Sequence, residues 1–275
     1  MNKGLTITLI VLLLTLVIGL IVGLTIMIKK DFTFSMFSFN SISTTLVEEK
    51  EINNIKDLNI KFDTSDIEVI DTEDEIIKVQ IYSDYEKSHK IEENEDEIYV
   101  EFKQKNGLSF FRKTSKIYIY VPKEYSNKIT INGDVGDIHI NDIESSTLKA
   151  DLNVADIHID NIDKANIKID TGDLKIDTIN DLVADLNTGD LKIEYLNNYI
   201  DTSLDVGDVK IEYLEINENS KIELQTGDVK IQNTNDIYID ADAKVGDTKI
   251  GDNNRKAEIE LTIKVNVGDI KVNKK

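Results

Sequence analysis

Eight aspartates stand at nearly even intervals in the second half of the chain: Asp137, Asp156, Asp173, Asp190, Asp208, Asp228, Asp247 and Asp269. Carboxylates repeated in this way could ligate cations, as in calcium-binding β-rolls, or could accept hydrogen bonds at a recurring corner. A small residue precedes each one: Gly136, Ala155, Gly172, Gly189, Gly207, Gly227, Gly246 and Gly268. Two positions after each comes a basic residue: His139, His158, Lys175, Lys192, Lys210, Lys230, Lys249 and Lys271. Acids such as Asp160, Asp177, Glu194 and Glu212 follow two positions later. Lysines interleaved with carboxylates oppose a bound cation, and calcium-binding rolls use a nonapeptide with more glycines and carboxylates per turn, so calcium is disfavoured. His139 and His158 would stack on adjacent turns, but two imidazoles lack the third protein ligand a metal needs. No catalytic, cofactor or metal residues are therefore assigned. The chain holds no cysteine, which removes thiol nucleophiles and Cys-based metal sites. No serine elbow or phosphate loop occurs, and turns this short leave no inserted loops to build a cleft, so an enzyme is not expected.

The elements that carry these residues follow from the spacing. Successive gaps from Asp137 are 19, 17, 17, 18, 20, 19 and 22 residues, the period of a repeat architecture. Apolar side chains fall one and three after each aspartate, as in Leu174 and Ile176 or Leu191 and Ile193, with further apolar or Thr positions two and four before it. Such alternation marks strands. The expected fold is all-β, a right-handed β-solenoid resembling a β-helix or β-roll, with about 17 to 22 residues per coil. Each coil would have two short strands meeting at the small-residue-Asp corner, and the outward Lys column would lie between acidic columns on a solvated face. Ala155, and Ser65 in a looser ninth copy at Ser65-Asp66-Ile67-Glu68-Val69, replace the glycine. The corner thus asks for smallness more than for a left-handed backbone.

Upstream, alternation continues through Leu58-Asn59-Ile60-Lys61-Phe62 and Ile117 to Val121, with a hairpin excursion expected within Lys103 to Lys116. Residues 46–132 read as an irregular β region of first coils and cap, and residues 133–275 as the regular repeats. The closing Asn273-Lys274-Lys275 would blunt the last edge. Residues 5–28 run for 24 positions without a charge, about 36 Å as a helix, and read as a single transmembrane anchor after a short tail at residues 1–4. Residues 29–45 form a juxtamembrane linker. Lys3 on one side nearly balances Lys29 and Lys30 on the other, and a near-terminal anchor of this kind places the large domain outside the cell membrane.

Net charge is −20 over 275 residues. With Lys3, Lys29 and Lys30 set aside, 29 of the 32 bases face all 52 acids beyond residue 30, a net of −23. That field repels nucleic acid and favours cationic peptides or basic faces of envelope proteins.

The series Ile55-x-x-Leu58-x-Ile60, Ser65-Asp66-Ile67-Glu68-Val69, Ile117-Tyr118-Ile119-Tyr120-Val121-Pro122 and the Gly-Asp-apolar-Lys-Ile repeats resembles the bacterial β-strand-repeat domains called putative adhesins. Lia-type cell-envelope stress proteins contain similar domains. The resemblance covers roughly residues 50–275, implies an envelope location and supplies no catalytic residues. Two functions follow as expectations. One is a membrane-anchored extracytoplasmic interaction module, for adhesion or envelope stress, that binds cationic partners through acidic faces. The other is a self-associating scaffold whose coils stack end to end.

Overall fold

Alternating apolar residues with almost no proline leave this chain no element to form except strands, and strands are what it forms. The computed structural model describes residues 45–83, 89–103 and 115–273, apart from the side chains of residues 144 and 145. The anchor expected at 5–28, the linker up to residue 44 and most of the expected hairpin excursion lie outside the described residues. These residues are all-β, with no helix among them and hence none long and apolar enough to cross a membrane.

The strands of the first part are β1 (Leu46–Ile52), β2 (Asp57–Thr72), β3 (Ile77–Tyr82), β4 (His89–Glu93), β5 (Glu97–Phe102), β6 (Ser115–Pro122) and β7 (Lys128–Val135). Next come the long strands β8 (Ile138–Val154), β9 (Ile157–Thr171), β10 (Leu174–Thr188) and β11 (Leu191–Val206). Shorter strands complete the chain: β12 (Val209–Leu214), β13 (Ser220–Thr226), β14 (Val229–Thr234), β15 (Tyr238–Val245), β16 (Thr248–Ile250), β17 (Glu260–Val267) and β18 (Ile270–Val272).

From β7 onward every pairing is parallel and runs between equivalent positions of the repeat. Ile140 pairs with Ile159, Ile159 with Ile176, Ile176 with Ile193, and Ile193 with Ile211. The sheet thus has two faces per turn of chain, one before and one after each motif aspartate. Side chains from both faces meet in a single interior of aliphatic columns, in which Ile140, Ile159, Ile176, Ile193 and Ile211 are at most 2% exposed. Burial of a branched aliphatic side chain contributes roughly 1.5 to 3 kcal/mol, and the columns repeat that contribution at every rung.

Both ends of the stack depart from chain order. At the far end, β17 pairs with β13 on one side and β15 on the other, and β18 lies likewise between β14 and β16. The last coil in sequence is therefore the penultimate one in space. The terminal rung, and with it the final edge, is β15–β16, not β18, after which Asn273-Lys274-Lys275 closes the chain; Lys274 and Lys275 lie outside the described residues. The polar loop after β16 covers part of that edge: the Asn253 side chain accepts from the Ile239 amide at 2.9 Å and donates to the Ile239 carbonyl at 2.8 Å.

At the near end, β2 lies between β5–β6 and β7–β8, again in parallel register. Antiparallel strands then close the stack, β4 on β5, β3 on β6 and β1 on β3. Tyr125, fully buried, fixes the bend that leads into the repeats: its hydroxyl donates to the Lys56 carbonyl at 2.8 Å, and Ser146 Oγ donates to the Tyr125 carbonyl at 2.8 Å.

Candidate functional site

The motif aspartates assemble into one continuous ridge, and the reason lies in the backbone ladder. At each corner the residue before the aspartate and the residue after it donate to the next coil: Gly172 to the Thr188 carbonyl and Leu174 to the Asp190 carbonyl, each at 2.9 Å. The aspartate's own amide points the other way and falls between these ladder bonds. The carboxylate of the neighbouring coil takes it. Asp173 accepts from the Asp190 amide, Asp190 from Asp208, and Asp208 from Asp228, at 2.8 to 3.0 Å. The series continues through the spatial order, with Asp228 accepting from Asp269 and Asp269 from Asp247, both at 2.8 Å. At the other end Asp156 accepts from Asp173 at 2.8 Å and Asp66 from Asp137 at 3.3 Å. An acceptor on a short side chain at this position satisfies a group that the corner would otherwise leave over.

The preceding glycines stand under a stricter condition than smallness. All seven, Gly136, Gly172, Gly189, Gly207, Gly227, Gly246 and Gly268, have φ between +141° and +158°. A Cβ built on Gly189 would stand 1.9 Å from the Gly172 carbonyl oxygen, and one on Gly172 would stand 2.0 Å from that of Ala155. No non-glycine residue among those described has positive φ, so Ala155 and Ser65 make the same corner with a different backbone. Both are buried, with Ala155 packed in the aliphatic interior. The expectation of smallness without a special backbone thus holds for Ala155 and Ser65 and fails for the seven glycines.

Beside the ridge lies a strip that the sequence pattern placed with the apolar positions. Residues four before the aspartate are buried, apart from the half-buried Gly133 and Ala243, but those two before it are exposed: Val135, Val154, Thr171, Thr188, Val206, Thr226, Val267 and Val245, in spatial order. Val206 is 52% exposed and Val245 63%. One corner of the stack therefore carries two parallel columns, one of carboxylates and one of β-branched side chains, each repeating about every 4.8 Å.

Charge crowding is felt at the near end of the ridge. Burial and the neighbouring carboxylates of Asp66 and Asp156 push the Asp137 carboxyl above its ordinary range, against the Asp156 amide that donates to it and against Lys116. Burial likewise raises Asp66, with the Asp137 amide and Lys116 pulling the other way.

The basic column runs along the adjoining face. In register it reads Glu68, His139, His158, Lys175, Lys192, Lys210, Lys230, Lys271 and Lys249. Lys175 reaches Asp177 at 3.0 Å and Lys210 reaches Glu212 at 2.5 Å, acids two positions on along their own strands, whereas Lys192 turns back to the corner Asp190 at 3.4 Å. Burial tends to raise Asp177, but Lys175 and His158 outweigh it and hold its carboxyl below the usual range. These pairs are partly solvated, so each adds at most about 1 kcal/mol. The two histidines differ from the lysines above them: their rings stack with centroids 4.9 Å apart and planes 6° from parallel.

A shallow depression lies on the opposite strand face, around Lys164, Asp181 and Tyr199. Lys164 donates to Asp181 at 2.7 Å, and this pairing outweighs the effect of burial and lowers the Asp181 carboxyl.

Fold and corner together define a β-repeat protein with an extended, charged surface. The chain matches the Toastrack DUF4097 family over residues 55–274, and it belongs to that family, a domain of unknown function. This agrees with the resemblance to putative adhesins read from the repeats. A solved structure named a putative adhesin, from Bacteroides fragilis NCTC 9343, is similar at 18% identity and a TM-score of 0.52, covering 84% of this chain and 98% of that one. Another, named a putative lipid binding protein, from Parabacteroides distasonis ATCC 8503, has 14% identity and a TM-score of 0.50, covering 84% and 99%. At these identities the likeness is one of fold. No curated protein matches the chain.

Proposed function

We propose that this protein is a non-catalytic interaction module of the cell envelope, a right-handed β-solenoid held outside the membrane by residues 5–28, that binds cationic amphipathic peptides or basic segments of envelope proteins along its aspartate ridge. The observation that carries this reading is the pairing of the two corner columns. A line of exposed carboxylates attracts positive charge, and the Val/Thr strip beside it offers apolar contact to the other face of the same partner. Net charge of −20 adds long-range attraction. The name of one structural neighbour, a putative adhesin, is consistent with a surface role.

Fluorescence anisotropy with a labelled Lys/Leu amphipathic peptide and the full chain in mild detergent tests it. Binding should weaken steeply as salt rises. It should also weaken on replacing Asp173, Asp190 and Asp208 together by Asn, which removes charge while keeping the amide-accepting oxygen. Salt-independent binding, or full affinity in that triple variant, would refute the ridge as the site. The scaffold reading has less support, because β1, β3 and β4 close the near end with antiparallel strands, so parallel coils cannot continue through it.

A further inference from the structure

We propose that His139, His158 and Asp160 form a binding site for a divalent transition metal of the zinc or copper type. The third ligand that the sequence spacing did not supply comes from the strand register. His139 and His158 are direct neighbours on β8 and β9, and Asp160 lies two residues beyond His158 on the same outward face. Both imidazoles turn Nε2 towards one carboxylate oxygen: Asp160 Oδ1 is 3.0 Å from His139 Nε2 and 3.5 Å from His158 Nε2. The three donor atoms all lie within 4.8 Å of one another. Ligands about 2.0 to 2.2 Å from a tetrahedral zinc ion stand roughly 3.3 Å apart, so the two nitrogen–oxygen separations already fit. His139, His158 and Asp160 are each a little over one-third exposed, which leaves the site open to an ion.

An independent feature marks the same place. The pairing of Ile140 with Ile159 and of Asp142 with Asn161 sets Asn141 beside Asp160, just as His139 is set beside His158. The Asn141 Oδ1 atom is buried and without a hydrogen-bond partner, an oxygen donor on the rim of the cluster that lacks a proton or a cation to accept. Four side chains thus occupy a two-by-two lattice of outward positions, and two imidazoles, one carboxylate and one amide oxygen suit a borderline-soft divalent ion.

The rungs above show what the lattice looks like without ligand chemistry: Lys175 with Asp177, and Lys210 with Glu212. The Lys175 ammonium, 2.9 Å from His158 Nε2, competes for that nitrogen. It also sits 3.0 Å from Asp177, so it can be released to that carboxylate when a metal takes its place.

Isothermal titration of the full chain in mild detergent with zinc chloride tests the site, with electron paramagnetic resonance of the copper(II)-loaded protein as a second readout. One equivalent of zinc should bind, and the copper spectrum should show coupling to two imidazole nitrogens. His158→Lys, which extends the lysine column downward by one rung, should keep the strand signal in circular dichroism and weaken zinc binding on the order of 100-fold or more. Asp160→Asn should weaken it at least about tenfold, and His89→Gln should leave it unchanged. Absence of zinc binding, coupling to fewer than two nitrogens, or unaltered affinity in His158→Lys would overturn the proposal. Should His158→Lys lose its fold, Asp160→Asn decides: undiminished affinity there overturns the site equally.

Discussion

At Gly189 two independent restraints meet, a φ of +148° and a carbonyl oxygen 1.9 Å from where a Cβ would stand. Gly189→Ala should therefore cost at least about 1 to 3 kcal/mol, read as a lower midpoint in urea unfolding. Ala155→Gly, at a corner built on the other backbone, loses only a small buried methyl and some chain stiffness, about 1 kcal/mol. Equal costs at the two positions would show that the corner senses size alone. Asp137 makes a second residue-scale case. Its carboxyl is raised in the folded chain by burial and by Asp66 and Asp156, so its charged form opposes folding. That unfavourable contribution is present at neutral pH and fades as pH falls through the raised value towards the ordinary 3.8. Asp137→Asn keeps an acceptor for the Asp156 amide and removes the repulsion. It should stabilise the fold at pH 7 by less than about 1 kcal/mol after solvent screening, read as a higher thermal midpoint, with the gain shrinking on acidification. A gain that grows at low pH would contradict the assignment.

At the scale of elements, the far end of the stack depends on a strand pair that arrives last. The strand partners of β15 and β16 are β17 and β18. Deleting residues 260–275 should therefore release residues 238–250 as well, although they precede the deletion. Hydrogen exchange should show the amides of Asp240 and Asp242, which alternate with the Asn253-bound Ile239 amide and so face β17, losing protection while those of β10 and β11 keep theirs. Retained protection at Asp240 would mean that β15 can dock directly on β13. The sequence did hold a sign of this order. Where inner coils place Ile, Leu or Val inward, the terminal rung has Ala243 and Thr248, opposite Val265 and Ile270. Small and polar residues at inward positions are what a terminal rung tolerates, because no further coil buries them.

For the molecule as a whole, a ridge that meets extracellular cations requires the domain to be outside. Protease added to intact cells should cleave the described domain while a cytoplasmic marker survives, and protection of the domain until the cells are lysed would remove the proposed partners from reach. The charge that motivates those partners was legible from composition alone. The strip that shapes them was not, since Val206 and Leu204 look alike in an alternating pattern. Only the fold shows that Leu204 is 1% exposed and Val206 52%.

The sequence by itself determined the repeat, the all-β class, the family and the corner positions, because these rest on local spacing: a strand alternates with period two whatever its partners. Tertiary structure decided the rest. The order of coils at both ends, the carboxylate-to-amide bonds between aspartates 17 to 71 residues apart, and the meeting of His139, His158 and Asp160 all depend on which strand lies beside which. Parallel pairing is a contact between distant segments, and two strands with the same alternation can serve equally well as neighbours as far as any local pattern can tell. The choice is made by burial at the ends of the stack, where Ala243 and Thr248 tolerate incomplete cover and Ile263 does not.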